Sequence, residues 1–187
     1  MQLMTLRIFQ NELAKQCEFA LEANHDMRGT LYPLNTKRFF YSLQAFLVAS
    51  ANISKLLWPS TPMKRKCPNC RQKLLLAVPL LPARGADLRK SLNISSRSAL
   101  RSRTLRNHFE HFDERIEGWA NSSSRHNFVD SNIGYSISGV DPADFMRNFD
   151  PSNWTATFQG KAFPLDPLVK EIKSVYEIAK TESQKPW

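Results

Sequence analysis

The stretch Leu105-Arg106-Asn107-His108-Phe109-Glu110-His111-Phe112-Asp113-Glu114-Arg115 gathers the side chains that phosphodiester cleavage uses. A histidine gives up and takes back a proton near neutral pH, so it can serve as general base or acid. An arginine keeps its charge and clamps a phosphate as negative charge builds in the transition state. An asparagine orients a phosphate or a ribose hydroxyl by hydrogen bonds. If the substrate is RNA, its own 2′-hydroxyl is the nucleophile, and that reaction requires no metal ion. On a helical wheel with Leu105 at zero, Phe109, Phe112, Ile116 and Trp119 fall within about 40° of it. Arg106, Glu110, Glu114, Asn107 and His111 lie between about 100° and 240° from that stripe, on the polar side. His108 lies beside the apolar stripe. Arg106, Asn107 and His111 are therefore the candidate catalytic residues, with Glu110, Glu114, His108 and Arg103 as candidate supports.

Arg106-Asn107-x-x-x-His111 resembles the signature of HEPN domains, an Arg, often followed by a polar residue, with four to six residues between it and a His. Arg103 with His108 and Arg101 with His108 also fit that spacing. The pair Arg106/His111 is preferred, because Asn107 follows the Arg and His108 leans toward the core. The resemblance implies a four-helix bundle with the motif on its third helix. It also implies a metal-independent RNase of toxin–antitoxin, phage-defence or RNA-processing type. Dimerisation would bring two copies of that helix around one cleft. For a toxin, a neutralising antitoxin-like partner of nucleotidyltransferase type is implied as well. The alternative is a non-catalytic helical adaptor that uses the same surface to bind RNA or protein. Arg106 and His111 point about 140° apart on one helix, so a single copy offers an open surface that a two-fold partner would complete.

The charge pattern agrees with a polyanionic partner. The chain has 187 residues, with 26 Lys and Arg against 17 Asp and Glu, a net charge of +9. From Lys64 to Arg106 there are 12 basic residues and a single acid, Asp87, whereas the remainder is slightly acidic. Such a block attracts nucleic acid through counterion release. Lys64, Arg65, Lys66, Arg71, Lys73 and Arg101 are the candidate RNA-binding residues.

These residues need a scaffold, and apolar periodicity predicts mainly helices. The first helix spans about Thr5–Ala23, with Phe9, Leu13, Cys17, Ala20 and Leu21 on one face. The second spans about Thr36–Leu57, striped by Phe39, Leu43, Phe46, Leu47, Ile53 and Leu57. The third is expected as one helix from about Ser96 to Ala120. A last helix starts at Asp166-Pro167, with Leu168, Ile172, Val175, Ile178 and Ala179 together. Between them lie two excursions. Residues 59–95 read as a long basic loop, with an apolar run Leu74–Leu81 and a short helix near Asp87–Leu92. Residues 128–163 read as partly β: Ile133, Tyr135 and Ile137 alternate, as do Trp154, Ala156 and Phe158, and Gln159-Gly160 marks a hairpin turn. The expectation is one domain over 1–187, mainly α: a HEPN-like four-helix bundle with a basic loop and a small β-hairpin.

Other chemistry is poorly served. Cys67-Pro-Asn-Cys70 is half of a zinc ribbon without its second half. His108, His111 and Glu114 could be drawn as a metal triad, but Arg101, Arg103, Arg106 and Arg115 would repel a cation. No metal and no cofactor is expected. With six glycines and no glycine-rich phosphate loop, nucleotide binding of that kind is unsupported. The apolar stretches are too short to span a membrane, and the N-terminus lacks the pattern of a secretory signal. Three cysteines do not make a disulfide scaffold. The expected setting is cytoplasmic.

Overall fold

The computed structural model describes residues 1–60, 80–134 and 137–186. Lys64, Arg65, Lys66, Arg71, Lys73, the Cys67/Cys70 pair, most of the Leu74–Leu81 run and Tyr135 lie outside the described residues.

Among the described residues the chain is mainly helical, with six α-helices and a four-stranded mixed sheet. Helix α1 (Leu3–Gly29) and α2 (Thr36–Leu57) pack side by side. Both exceed or match the lengths that periodicity predicts. Leu13, Cys17 and Ala20 on α1 meet Phe39, Leu43, Phe46, Ile53 and Leu57 on α2 in one core. Asn35 caps α2, its side-chain oxygen accepting from the Arg38 N–H at 3.0 Å. Burial raises the Cys17 thiol to about 12, so it stays protonated and plays no nucleophilic or metal-binding part.

Helix α3 (Leu80–Ser91) occupies twelve residues of the segment that the sequence suggests is loop. The short helix near Asp87–Leu92 is real but begins seven residues earlier. Its Leu88 is buried, and Gln10 on α1 donates to the Ser91 hydroxyl at 3.0 Å, tying the two helices. Gly85 lets α3 press against the end of α2. A Cβ there would meet Pro59 Cδ at 2.5 Å and the Leu57 carbonyl oxygen at 2.7 Å. A backbone carbonyl cannot swing aside, so Gly85→Ala is expected to cost about 1–3 kcal/mol by overpacking. The shift in urea midpoint against wild type checks this.

The third helix differs most from expectation. Residues 96–103 are not helical apart from a 3-10 turn at Ala99–Arg101. Helix α4 (Thr104–Glu110) and α5 (Phe112–Ser122) are separated by a break at His111, whose backbone sits at φ −101, ψ 37. Only the first part of the predicted stripe is in the core. Leu105 and Phe109 are buried and Trp119 is partly covered, but Phe112 is 50% exposed and Ile116 37% exposed.

The physical reason is the sheet. Strands β1 (Asn132–Ile133), β2 (Arg147–Asp150), β3 (Thr155–Phe158) and β4 (Lys161–Pro164) are hydrogen-bonded in that order. β1 runs parallel to β2, and the remaining pairs are antiparallel. This region is no excursion. Phe149, Trp154, Ala156 and Phe158 belong to the same core as α1 and α2. Phe158 lies 6.1 Å from Phe109 and Phe149 lies 4.6 Å from Phe39, ring to ring. The sheet thus occupies core volume that the stripe at Phe112 and Ile116 would otherwise fill. The hairpin is as expected: Gln159 and Gly160 both have positive φ, 47° and 76°, the geometry of a type I′ turn between β3 and β4. Ile137, expected in a strand, is exposed outside one.

Helix α6 (Asp166–Ser183) closes the fold on α1, with Pro167 in its first turn. Ile172, Val175 and Ala179 are buried and Leu168 is half-buried, while Ile178 stays exposed. No helix among the described residues is long and apolar enough to cross a membrane.

Candidate functional site

The break between α4 and α5 decides where the predicted residues go. A helix interrupted at His111 swings the second half relative to the first and leaves the His at the corner. The His111 N–H still reaches the Asn107 carbonyl at 3.0 Å, and the His111 carbonyl accepts from the Arg115 N–H at 3.2 Å. The side chain is 54% exposed, with its Nδ1 3.4 Å from Glu114 Oε1. A carboxylate beside Nδ1 favours the tautomer that leaves Nε2 as a free acceptor. Glu114, a predicted support, therefore stands where it can orient the ring.

Arg106 is placed differently. Its side chain is 19% exposed and pairs with Glu110 one turn on. Its Nη1 donates to Asn107 Oδ1 at 3.3 Å. Its Nε is buried with no hydrogen-bond partner among the described residues. The guanidinium lines a mostly apolar cavity of about 260 Å³, together with Ser50, Arg103, Leu105, Phe163 and Leu165. His111 does not line that cavity. So Arg106, Asn107 and Glu110 are brought together, and His111 and Glu114 are brought together, but no described cavity holds both groups. A phosphate reaching Arg106 must compete with Glu110 for it.

His108 leans inward as the wheel predicts. Its ring stacks on Phe158 at 4.8 Å and meets Phe163 edge-on at 5.9 Å, and its Nδ1 is buried without a partner. Burial, then the charges of Arg115 and Lys161, hold its pKa below the ordinary histidine value. The folded state therefore keeps His108 neutral while the unfolded chain protonates it near pH 6.5. Its effect on stability is absent above that pH and grows as a penalty when pH falls through it. His108→Phe keeps the ring stack and removes the proton site. Its urea midpoint should fall less than that of wild type between about pH 7.5 and 5.5.

The far end of α5 is fixed by Asp144, a buried carboxylate in the 3-10 turn Pro142–Asp144. It accepts the Ser123 hydroxyl at 2.7 Å and the Trp119 indole N–H at 2.8 Å, and these bonds lower its pKa. Arg147 on β2 grips Asp130 with Nε at 2.7 Å and with Nη2. These contacts brace the surroundings of the broken helix while leaving the corner open.

A second polar feature escapes the sequence reading. Arg89, Arg101 and Arg103 line a basin of about 420 Å³ with Trp58, Pro59, Ser60 and Pro82. The sequence marks Arg101 for RNA and Arg103 as a support for catalysis, but Arg89, on the short helix expected near Asp87–Leu92, is not singled out beside them. The signal that would have found it is the apolar Leu88/Leu92 spacing, which orients α3 and so fixes Arg89.

Among the described residues no group of three or more His, Cys, Asp or Glu side chains is arranged to hold a metal ion. Comparison with protein-family models, curated proteins and solved structures finds no match for this chain.

Proposed function

We propose that the chain is a HEPN-type endoribonuclease that works as a homodimer and needs no metal. The observation carrying this reading is His111 at the corner of a broken helix, open to solvent, with Glu114 beside its Nδ1 and the Arg106-Asn107 pair one turn earlier. In the proposed reaction His111 takes the proton of a ribose 2′-hydroxyl. The 2′-oxygen then bonds to the adjacent phosphorus, and the 5′-oxygen of the next nucleotide leaves with a proton. The products are a 2′,3′-cyclic phosphate and a 5′-hydroxyl. Arg106, released from Glu110, carries the charge that develops on the phosphoryl oxygens.

The second subunit supplies what one copy lacks. Phe112 and Ile116 flank the corner and stay exposed, and a two-fold contact through them would cover them and bring two corners to one cleft. A second reading is favoured by the arginine basin: a helical adaptor that binds RNA without cutting it. Incubating labelled RNA with the protein in EDTA separates the two. Metal-independent cleavage lost in His111→Ala and in Arg106→Ala supports the nuclease. Binding without cleavage of any RNA supports the adaptor.

A further inference from the structure

Three arginines line one basin at the end of α2. Arg89 comes from α3, and Arg101 and Arg103 from the turn and strand-like connection ahead of α4. Like charges held this close repel, and folding alone gives no reason to assemble them. Elsewhere Arg7, Arg28, Arg38, Arg106 and Arg147 each face a carboxylate, while Arg84, Arg97, Arg115 and Arg125 stand singly without one among the described residues. None of the three basin arginines has an Asp or Glu within 4.0 Å among the described residues.

The basin is also held in shape. Arg89 Nη1 donates to the Leu57 carbonyl, and its guanidinium carbon lies 5.4 Å from the Trp58 ring centroid. Arg103 Nη2 donates to the Ser60 hydroxyl at 3.3 Å. Ser54 fixes the backbone beside them, its hydroxyl donating to the Arg101 carbonyl at 3.2 Å. Each guanidinium has five N–H donors, so these anchors leave most of the donors free. Two prolines and an indole wall the site and strengthen electrostatics inside it. Two anchored guanidiniums and one unanchored guanidinium around a polar basin suit a phosphate, whose oxygens accept several such donors at once.

We infer that this basin holds one backbone phosphate of single-stranded RNA, at a subsite separate from the Arg106/His111 corner. The inference rests on the reading of the chain as an RNA-binding protein, and it adds where the strand is gripped. A phosphate seated there positions the strand without reading its sequence. Arg101 is exposed, and its side chain makes no hydrogen bond or ion pair among the described residues. Removing its charge therefore tests the site without disturbing the fold.

The test measures binding of a labelled oligouridine to the full chain in a His111→Ala background, from about 50 to 200 mM salt. Arg101→Ala/Arg103→Ala is expected to bind several-fold more weakly. Its plot of log affinity against log salt should be shallower by about 0.7, the loss of one single-strand phosphate contact. Arg101→Glu should weaken binding in the same direction, which keeps the test decisive if the double variant folds poorly. Lys90→Ala/Arg97→Ala removes two charges of the same basic stretch from outside the basin and should leave the slope in place. If parent and basin variants bind with equal slope and affinity, the basin is not the site, and RNA binding by the chain still stands. An equal loss in the Lys90/Arg97 variant also overturns the site, in favour of diffuse charge. If the parent binds no RNA, the basin and the broader RNA reading fall together.

Discussion

Replacing Trp154 by alanine is expected to remove about 3–5 kcal/mol of stability. That is a large share of the roughly 5–15 kcal/mol that separates a folded domain from its unfolded chain. The indole is buried and ties the sheet to α1. It packs edge-on against Phe149 at 4.9 Å, its N–H donates to the buried Asn24 on α1 at 3.1 Å, and Arg28 lies over its face at 3.8 Å. The Trp154 carbonyl also accepts from the Leu165 N–H at 3.0 Å, ahead of α6. The residue holds φ +52°, a region that costs a bulky side chain free energy, so the packing must outweigh it. Trp154→Phe should keep most of the ring packing and lose the bond to Asn24, costing about 1–3 kcal/mol. Urea melts of both variants check the order. A loss below about 1 kcal/mol for the alanine variant would mean that the sheet is not integral to the core.

The second large effect concerns chemistry. On the nuclease reading, His111→Ala should lower RNA cleavage by about 10²–10⁴-fold, the usual contribution of a positioned acid or base. Binding of RNA should remain, since His111 stands apart from the arginine basin. Arg106→Ala should reduce the rate comparably, and Arg106→Lys should rescue it poorly, because an ammonium lacks the planar fork. Glu110→Gln is informative in the other direction. It frees Arg106 from its ion pair and should hold or raise the cleavage rate if Glu110 merely competes with phosphate. Rates measured in EDTA with each variant, alongside thermal melts, decide it. Equal cleavage by wild type and His111→Ala would remove this imidazole from the mechanism.

The sequence made the helical framework legible because α1, α2 and α6 each bury one face against a large core. Phe39, Leu43, Phe46, Leu47, Ile53 and Leu57 recur at helical spacing and all lie inside. The hairpin was legible too, since Gln159-Gly160 carries the turn chemistry that the strand twist demands. The break at His111 was not. Nothing local forbids a helix there, because no proline or glycine interrupts 104–117. The interruption is a tertiary effect, arising where the sheet takes the space behind Phe109. The same cause misplaced Phe112 and Ile116, whose period matches a core stripe that the sheet displaces. Helix α3 was blurred by Pro79 just ahead of it and Pro82 in its first turn. At the candidate site the sequence placed Arg106, Asn107, Glu110, His111 and Glu114 on one short stretch. It could not show that Arg106 is tied to Glu110 while His111 stands open.

On the reading of the chain as a homodimeric nuclease, the exposed Phe112 and Ile116 carry a consequence for dosage. A chain whose cleft is complete only when two copies meet has an output that climbs steeply with copy number. Doubling a scarce population roughly quadruples the number of pairs under mass action. Few molecules in a cell would then do almost nothing, and a modest rise in synthesis would cross a threshold. Damage to RNA would be set by how much of the protein is made, before any inhibitor is called upon.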